Sequence, residues 1–183
     1  MIKKCAWEPY VRAGRGANMI IYTDGSCLGN PGKGGWGVYC PDTGYEDSGH
    51  VESSTNNRME LTAIIAAMKV DGVSKIITDS EYCYKGATAW TKGWIKREWK
   101  TAGGTKVKND DLWKQIVDLE PDKIQFEWVK AHDVNEHNNH VDKLAHRAAT
   151  GEKEDPDAER KRLEAELERI TRRREEILAI LNL

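Results

Sequence analysis

The stretch from Met19 to Asp24 limits the possible folds of this chain more than any other. Both alternating sets of its side chains are largely apolar, which is typical of a strand buried on both faces. Asp24 closes the stretch, directly before a glycine-rich turn over residues 25–32. A buried carboxylate is costly without a cation, whereas an aspartate that bonds its own turn is common. The pattern predicts a central strand of a sheet and leaves both roles open for Asp24.

Two further carboxylates stand where acids are unusual. Asp79 follows a short apolar strand pattern and precedes a predicted helix. Asp24 likewise stands at the end of an apolar strand pattern. Because ligands gather at the carboxyl ends of strands in open α/β sheets, the two aspartates are predicted neighbours. Glu60 heads the apolar stripe of a helix predicted over residues 56–70, although glutamate is rarely buried without a partner.

Asp142 completes a set of four acids, because it borders the apolar stripe of a helix predicted over residues 138–150. Four clustered carboxylates would repel one another strongly. Mg²⁺ relieves such repulsion, because hard divalent ions prefer carboxylate oxygens. Two such ions about 4 Å apart can activate water and stabilise a leaving oxygen in phosphodiester cleavage. The four acids therefore predict a divalent metal site.

Composition predicts a soluble cytoplasmic protein without a membrane segment. The 183 residues allow one domain and an appendage. No run of 18 apolar residues occurs, residues 1–18 lack an apolar signal core, and the four cysteines are scattered singly, which disfavours a zinc site. The predicted organisation is an arm over residues 1–18, a domain over 19–150, a charged linker over 151–157 and a helix over 158–183.

Residues 85–108 form a basic segment that predicts a polyanionic partner. The segment contains seven lysines and arginines against one acid, Glu98, although the whole chain has a net charge of −2. Tryptophans interleave with these cations at positions 90, 94 and 99. Each of the three could instead belong to the core, since Trp90 and Trp94 are one helical turn apart.

Four motifs occur in unbroken order between residues 19 and 150, and each carries one of the four acids. They are Thr23-Asp24-Gly25-Ser26-Cys27-Leu28-Gly29-Asn30-Pro31-Gly32, Thr55-Asn56-Asn57-Arg58-Met59-Glu60-Leu61, Thr78-Asp79-Ser80, and Trp128-Val129-Lys130-Ala131-His132 followed by Asn138 and Val141-Asp142-Lys143-Leu144-Ala145. In these motifs the chain resembles the type 1 ribonucleases H, the family of bacterial and phage ribonuclease HI. It departs from the family in the loop around His132, where Ala131 stands in place of a common glycine and Asp133 and Val134 replace smaller residues.

The resemblance implies a ribonuclease H-like fold: a five-stranded mixed sheet, three antiparallel strands followed by two parallel ones, flanked by helices. It implies an endonuclease that hydrolyses the RNA strand of RNA–DNA hybrids and leaves 5′-phosphate ends. Asp24, Glu60, Asp79 and Asp142 would be the catalytic ligands of two Mg²⁺ ions, with Mn²⁺ as a substitute. His132 would sit on a mobile loop and move protons or release product.

The resemblance also implies a set of residues that bind the hybrid. Three asparagines would reach the minor groove, Cys27 would lie on the RNA side, and Thr55 would hold a DNA phosphate. Tyr82 would pack on a deoxyribose, and the basic segment would grip the DNA strand. The residues concerned are Cys27, Asn30, Thr55, Asn56, Asn57, Tyr82, Trp90, Lys92, Trp94, Lys96, Arg97 and Lys100.

Other functions stay open at this point. The chain could be a module of the same fold that binds hybrids or duplex RNA without cutting, although such a module has no need of four acids. It could be an assembly component recruited through residues 157–183, or a nuclease for another substrate such as a DNA junction. Residues 163–181 carry a 4-3-4-3 apolar spacing, which predicts pairing with a second copy or a partner helix, or packing on the domain.

Overall fold

A computed structural model describes residues 18–131, 135–152 and 156–181. It divides the chain into two compact units, Met1–Gly151 and Glu152–Leu183. Within the described residues, no helix is long and apolar enough to cross a membrane.

The first unit is built on one five-stranded sheet with the order β3-β2-β1-β4-β5. The strands pair antiparallel from β1 to β2 and from β2 to β3, and β4 runs parallel to both β1 and β5. This confirms the predicted mixed sheet. The strands are β1 (Met19–Gly29), β2 (Gly32–Cys40), β3 (Tyr45–Ser54), β4 (Val73–Thr78) and β5 (Gln125–Trp128).

Helices connect and cover these strands. A π-helical turn, Gly86–Trp90, joins the second helix to the third, and a 3₁₀ turn, Pro121–Lys123, precedes β5. The helices of the first unit are α1 (Asn56–Met68), α2 (Glu81–Lys85), α3 (Thr91–Lys96), α4 (Asp110–Asp118) and α5 (Glu136–Thr150). The second unit contains one helix, α6 (Pro156–Leu181).

The main core of the first unit lies between the sheet and the helices α1 and α4. Ile21 and Ile76 from neighbouring strands, Ile64 from α1, and Trp113 and Ile116 from α4 are almost completely buried. The apolar stripe predicted for α1 is buried as well. These contacts fix α1 against β1 and so determine where Glu60 lies.

The predicted end of the first strand was wrong. β1 does not stop at Asp24 but continues as a hairpin with β2 to the Gly29–Gly32 pair. Its parallel pairing with β4 does end just before Asp24, at the Thr23–Thr78 pair. Asp24 therefore lies where β1 leaves β4, with its backbone still paired to β2.

Helix α5 begins two residues before its predicted start. The side chain of Asn135 accepts hydrogen bonds from the backbone N–H groups of His137 and Asn138, at 3.1 Å each. Such an N-cap satisfies donors that the first turn cannot pair internally. Glu136 and His137, which precede the predicted start, therefore belong to the first turn of the helix.

Candidate active site

Three of the four predicted acids converge at one end of the strand pair β1–β4. Asp24 of β1, Glu60 of α1 and Asp79 after β4 each offer one carboxylate oxygen, and these oxygens lie within 4.8 Å of one another. Asp24 and Glu60 are each only 6% exposed, and Asp79 is half-buried.

Gly25 brings the first turn of α1 close enough to β1 for this cluster to form. A Cβ atom at position 25 would lie 2.1 Å from the backbone nitrogen of Glu60 and 2.4 Å from the carbonyl carbon of Met59. Only glycine permits such an approach without a shift of the backbone. The residue directly after Asp24 thus places Glu60 beside it.

Asp142 reaches the cluster from α5, which packs closely on β2. A Cβ atom at Gly35 would lie 2.2 Å from the carbonyl oxygen of Ala145, and one at Gly37 would lie 3.2 Å from that of Val141. Asp142 is half-buried. Its side chain lies near enough to Asp24 to share a hydrogen bond when one of the two carboxyls is protonated.

The electrostatics of the cluster are unfavourable in the absence of a cation. Burial raises the pKa of Asp24 to about 8, and the charges of Asp79 and Asp142 act in the same direction. Burial and the charge of Asp24 also raise the pKa of Glu60 well above its ordinary value. Backbone N–H of Gly25 opposes both effects without cancelling them. Each group therefore binds its proton more tightly than in water unless a cation replaces it.

The donor set fits a hard divalent cation. Glu60 Oε2 is buried without a hydrogen-bond partner, whereas Oε1 accepts a 3.4 Å bond from Asn56 Nδ2. An unpaired buried carboxylate oxygen is costly, and coordination of a metal ion would satisfy it. Carboxylate oxygens are the ligands that Mg²⁺ prefers.

Asn138 is a site residue whose role was missed in the sequence, although it stands in one of the four motifs. Its Nδ2 donates a 3.0 Å hydrogen bond to Asp79 Oδ2, and the side chain is 2% exposed. Trp128 Nε1 donates a 2.9 Å bond to the Asp79 carbonyl oxygen. The two bonds fix the side chain and the backbone of Asp79. The predicted proton carrier, His132, lies outside the described residues.

The residues predicted to face the minor groove lie where the β1–β2 turn meets the end of β3 and the start of α1. Asn56 and Asn57 are exposed in the first turn of α1, and Asn30 is exposed in the β1–β2 turn. Half-buried Cys27 joins these two segments, because its Sγ lies 3.5 Å from the Gly32 carbonyl oxygen and 3.4 Å from that of Ser54. Thr55 occupies the N-cap position of α1, but its side chain makes no cap hydrogen bond.

Four aromatic rings form a cluster that includes two tryptophans of the basic segment. Tyr82 and Trp94 each pack edge-on against Trp113, with ring centroids 5.5 and 5.4 Å apart, and Trp90 lies 5.7 Å from Trp94. Trp94 and Trp99 pack against the core, as the alternative interpretation of the tryptophans suggested, whereas Trp90 is 38% exposed. Its exposed ring remains open to a ligand.

The cations of the basic segment divide into paired and open groups. Lys92 pairs with Asp122 at 3.0 Å, and Lys106 pairs with Asp110 at 2.9 Å. Four exposed residues of the segment have no acidic partner among the described ion pairs, namely Lys96, Arg97, Lys100 and Lys108. These four make the larger contribution to the open positive charge.

Contacts through α4 connect this segment to the start of α1. Arg58 of α1 forms a bidentate ion pair with Asp111 of α4, with N···O distances of 3.0 and 2.7 Å. Asn109, which precedes α4, accepts a 3.4 Å bond from Arg58 and donates one of 3.4 Å to the Tyr82 hydroxyl. The exposed asparagines of α1 and the aromatic cluster are thus parts of one connected framework.

Comparison with known proteins identifies this framework. The family model described as RNase H matches residues 16–150. A Ribonuclease H of Novosphingobium aromaticivorans is 47% identical over 135 residues, which cover 70% of this chain and 94% of that protein. The crystal structure of LC9-RNase H1, a type 1 RNase H with the type 2 active-site motif, is 30% identical, with a TM-score of 0.63 and coverage of 75% and 74% of the two chains.

A more distant structure, LC11-RNase H1 in complex with RNA/DNA hybrid, shares the fold at 24% identity, with a TM-score of 0.52 and coverage of 73% of this chain and 98% of that one. The matched region contains all four acids, both edges of the sheet and the basic segment. The family's members are metal-dependent endoribonucleases, which agrees with the cluster of carboxylates. The chain belongs to the ribonuclease H family.

Proposed function

We propose that this protein hydrolyses the RNA strand of RNA–DNA hybrids by a two-metal mechanism, with Mg²⁺ as the metal ion and Mn²⁺ as a substitute. The observation that carries the proposal is the convergence of three carboxylates within 4.8 Å, with Asp142 beside them. In the described part of the chain, the main causes of the raised pKa values of Asp24 and Glu60 are burial and the neighbouring carboxylates, and no lysine or arginine is among them.

Each acid has a defined part in this proposal. Asp24, Glu60, Asp79 and Asp142 would hold the metal ions, which supply an activated water and stabilise the leaving oxygen. Asn138 orients Asp79, because its amide occupies one lone pair of Oδ2 and leaves the other oxygen to a ligand. Because the pKa of Asp24 is raised to about 8, metal binding near neutral pH releases a proton from the cluster.

Two surfaces support a hybrid as substrate. An A-like minor groove displays 2′-hydroxyls. These can accept hydrogen bonds from, and donate them to, the exposed side-chain amides of Asn30, Asn56 and Asn57. Lys96, Arg97 and Lys100 would hold the backbone of the DNA strand without reading its sequence. The rings of Tyr82 and Trp90 offer an apolar surface to a deoxyribose. The substrate would therefore be chosen by sugar and shape, and base sequence would matter little.

The cellular setting and the association state are also proposals. Cys27, Cys40 and Cys83 are free thiols, which suits the reducing cytoplasm. The leucines and isoleucines that α6 carries at intervals of three and four residues between positions 163 and 181 are exposed and suit pairing with another helix.

Cleavage of three labelled substrates tests the proposed function. The protein is incubated with an RNA–DNA hybrid, duplex RNA and duplex DNA, each with Mg²⁺ and with EDTA. We expect cleavage of the hybrid alone, in the RNA strand, with 5′-phosphate products and only with Mg²⁺. Hybrid binding without cleavage by the wild type would establish a binding module instead.

Site variants connect the activity to the cluster. Asp24→Asn and Asp79→Asn should abolish cleavage while hybrid binding persists, because each removes a metal ligand and leaves the nucleic-acid surfaces intact. Asp118→Asn is the matched control, since it removes one exposed carboxylate of α4 outside the cluster. Retention of a tenth of the activity in Asp24→Asn would refute the metal-ligand assignment.

A further inference from the structure

Helix α6 carries an aliphatic stripe that the structure leaves open to solvent. Its positions are spaced four and three residues apart, and the five aliphatic members are between 44% and 65% exposed. A 26-residue helix is marginal in water unless such a stripe is buried. This seam consists of Leu163, Leu167, Ile170, Arg174, Ile177 and Leu181.

We propose that the seam pairs with the seam of a second copy of this chain in an antiparallel, two-stranded coiled coil. The spacing 4-3-4-3-4 is the same in both directions, so one antiparallel register joins all six positions of both helices. Leu163 then meets the partner's Leu181, and Leu167 meets the partner's Ile177. Any shift by one heptad leaves positions at both ends unpaired.

Arg174 decides the orientation. In a parallel pair it would face its own copy inside the seam, where like charges repel in a poorly hydrated site. In the antiparallel register it faces the partner's Ile170, and its aliphatic stem packs while the guanidinium reaches water. The antiparallel pair does bring Arg173 near the partner's Arg173. Each of these is exposed and already paired with Glu176 of its own helix at 3.1 Å, so their repulsion is screened.

Arg174 also limits the number of helices. In heptad terms the seam has leucine at two of its three a positions and isoleucine at two of its three d positions, a distribution that favours three or four strands when the core is wholly apolar. A larger bundle would enclose three or four arginines, whereas in the antiparallel pair each aliphatic stem packs on the partner's Ile170 and each guanidinium reaches water. The charge within the seam therefore favours two strands.

Pairing would make the enzyme divalent, a consequence that rests on the proposed function. Two nuclease units in one assembly raise the effective concentration of the second unit once the first has bound a long hybrid. A hybrid that accommodates only one unit gains nothing. Loss of pairing should therefore weaken cleavage of long hybrids at low enzyme concentration and leave short hybrids unaffected.

The association state tests the pairing. Sedimentation equilibrium at micromolar concentration compares the full chain with Ile170→Glu, which places a charge in the seam, and with Ala165→Glu, which places the same charge on α6 outside it. We expect dimers for the wild type and Ala165→Glu and a monomer for Ile170→Glu. A monomeric wild type, a larger oligomer or a dimer that survives Ile170→Glu would each overturn the proposal.

Cysteine cross-linking tests the orientation. Full chains carrying Leu163→Cys and Leu181→Cys are oxidised separately and as a mixture, and disulfides are located by peptide mass spectrometry, which separates them from those of the native cysteines. The antiparallel pair predicts a disulfide between positions 163 and 181 in the mixture and no bond between identical positions. Disulfides at 163–163 or 181–181 would overturn the orientation. Cleavage of a short hybrid by every variant shows that the nuclease unit is intact, so failure of pairing is distinguished from failure of the proposed function.

Discussion

Replacing Asp24 by asparagine tests whether the metal-free cluster is held together against its own charge. The pKa of Asp24 is raised from its ordinary value of 3.8 to about 8, chiefly by burial. The folded protein therefore binds this proton more tightly than the unfolded chain does. It follows that the contribution of Asp24 to the stability of the metal-free protein falls as pH rises from about 4 to about 8 and is lowest above pH 8.

The size of the effect follows from the two pKa values. At ~1.4 kcal/mol for each pKa unit, the difference amounts to about 6 kcal/mol at alkaline pH. This is an upper limit, because Asp79 and Asp142 can take up part of the proton or move apart. Asparagine also weakens the bond from the Gly25 N–H, which favours a carboxylate. We expect Asp24→Asn to be more stable than the wild type by ~1–3 kcal/mol at pH 8 without metal, and by much less near pH 4.

Thermal unfolding between pH 4 and pH 9 in EDTA measures this difference, with Asp118→Asn as the control that removes an exposed charge. Mg²⁺ should raise the melting temperature of the wild type, because a ligand that binds only the folded state stabilises it, and should raise that of Asp24→Asn far less. A variant less stable than the wild type at pH 8 in EDTA would refute the reasoning, and so would a stability difference that does not change with pH.

Four further outcomes are expected. Replacing Lys92, Lys96, Arg97 and Lys100 together by glutamate should raise KM for the hybrid and flatten the salt dependence of KM, with kcat little changed. An unchanged KM at low salt would exclude the basic segment as a substrate contact. Glu98→Gly should stabilise the protein by about 0.5–1 kcal/mol in denaturant unfolding, because Glu98 has φ of 52°, whereas Glu98→Gln, which removes only the charge, should not. Asn138→Ala should raise the Mg²⁺ concentration for half-maximal activity about tenfold, with smaller loss in Asn138→Gln, and equal Mg²⁺ requirements would exclude a positioning role. His132→Ala should slow turnover far less than Asp24→Asn, because water partly replaces a proton carrier; equal losses would contradict this.

The sheet and its order could be predicted, but the length of its central strand could not. Short apolar runs mark β1 and β4, and the motif order implies the topology through family resemblance. The segments 25–29 and 32–35 are mostly glycine and small polar residues, which have low strand propensity. They are strands only because each pairs with the other across the hairpin. The strand propensities of the individual residues carry no signal of such pairing.

The candidate site could also be predicted only in part. Local anomalies marked the four acids, since each carboxylate stands where an apolar or turn residue is expected. The partners of these and other charges were not predictable, because they lie far away in the sequence. Asn138 bonds Asp79 across 59 residues, and Lys92 pairs with Asp122. Only the folded chain shows that Lys92 is partly neutralised and that Lys96 is not.

The glycines around the cluster explain how a fold can hold acids that repel. Gly25 admits the backbone of α1, and Gly35 and Gly37 admit that of α5, so both helices lie closer to the sheet than side chains would allow. The apolar faces of these helices are buried along their whole length, and that burial stabilises the arrangement at a distance from the charges. Repulsion among the carboxylates is thereby opposed by packing that does not involve them. A substitution at Gly35 should then disturb metal binding through Asp142 although it alters no ligand, because α5 must move away from β2 to accommodate any Cβ atom.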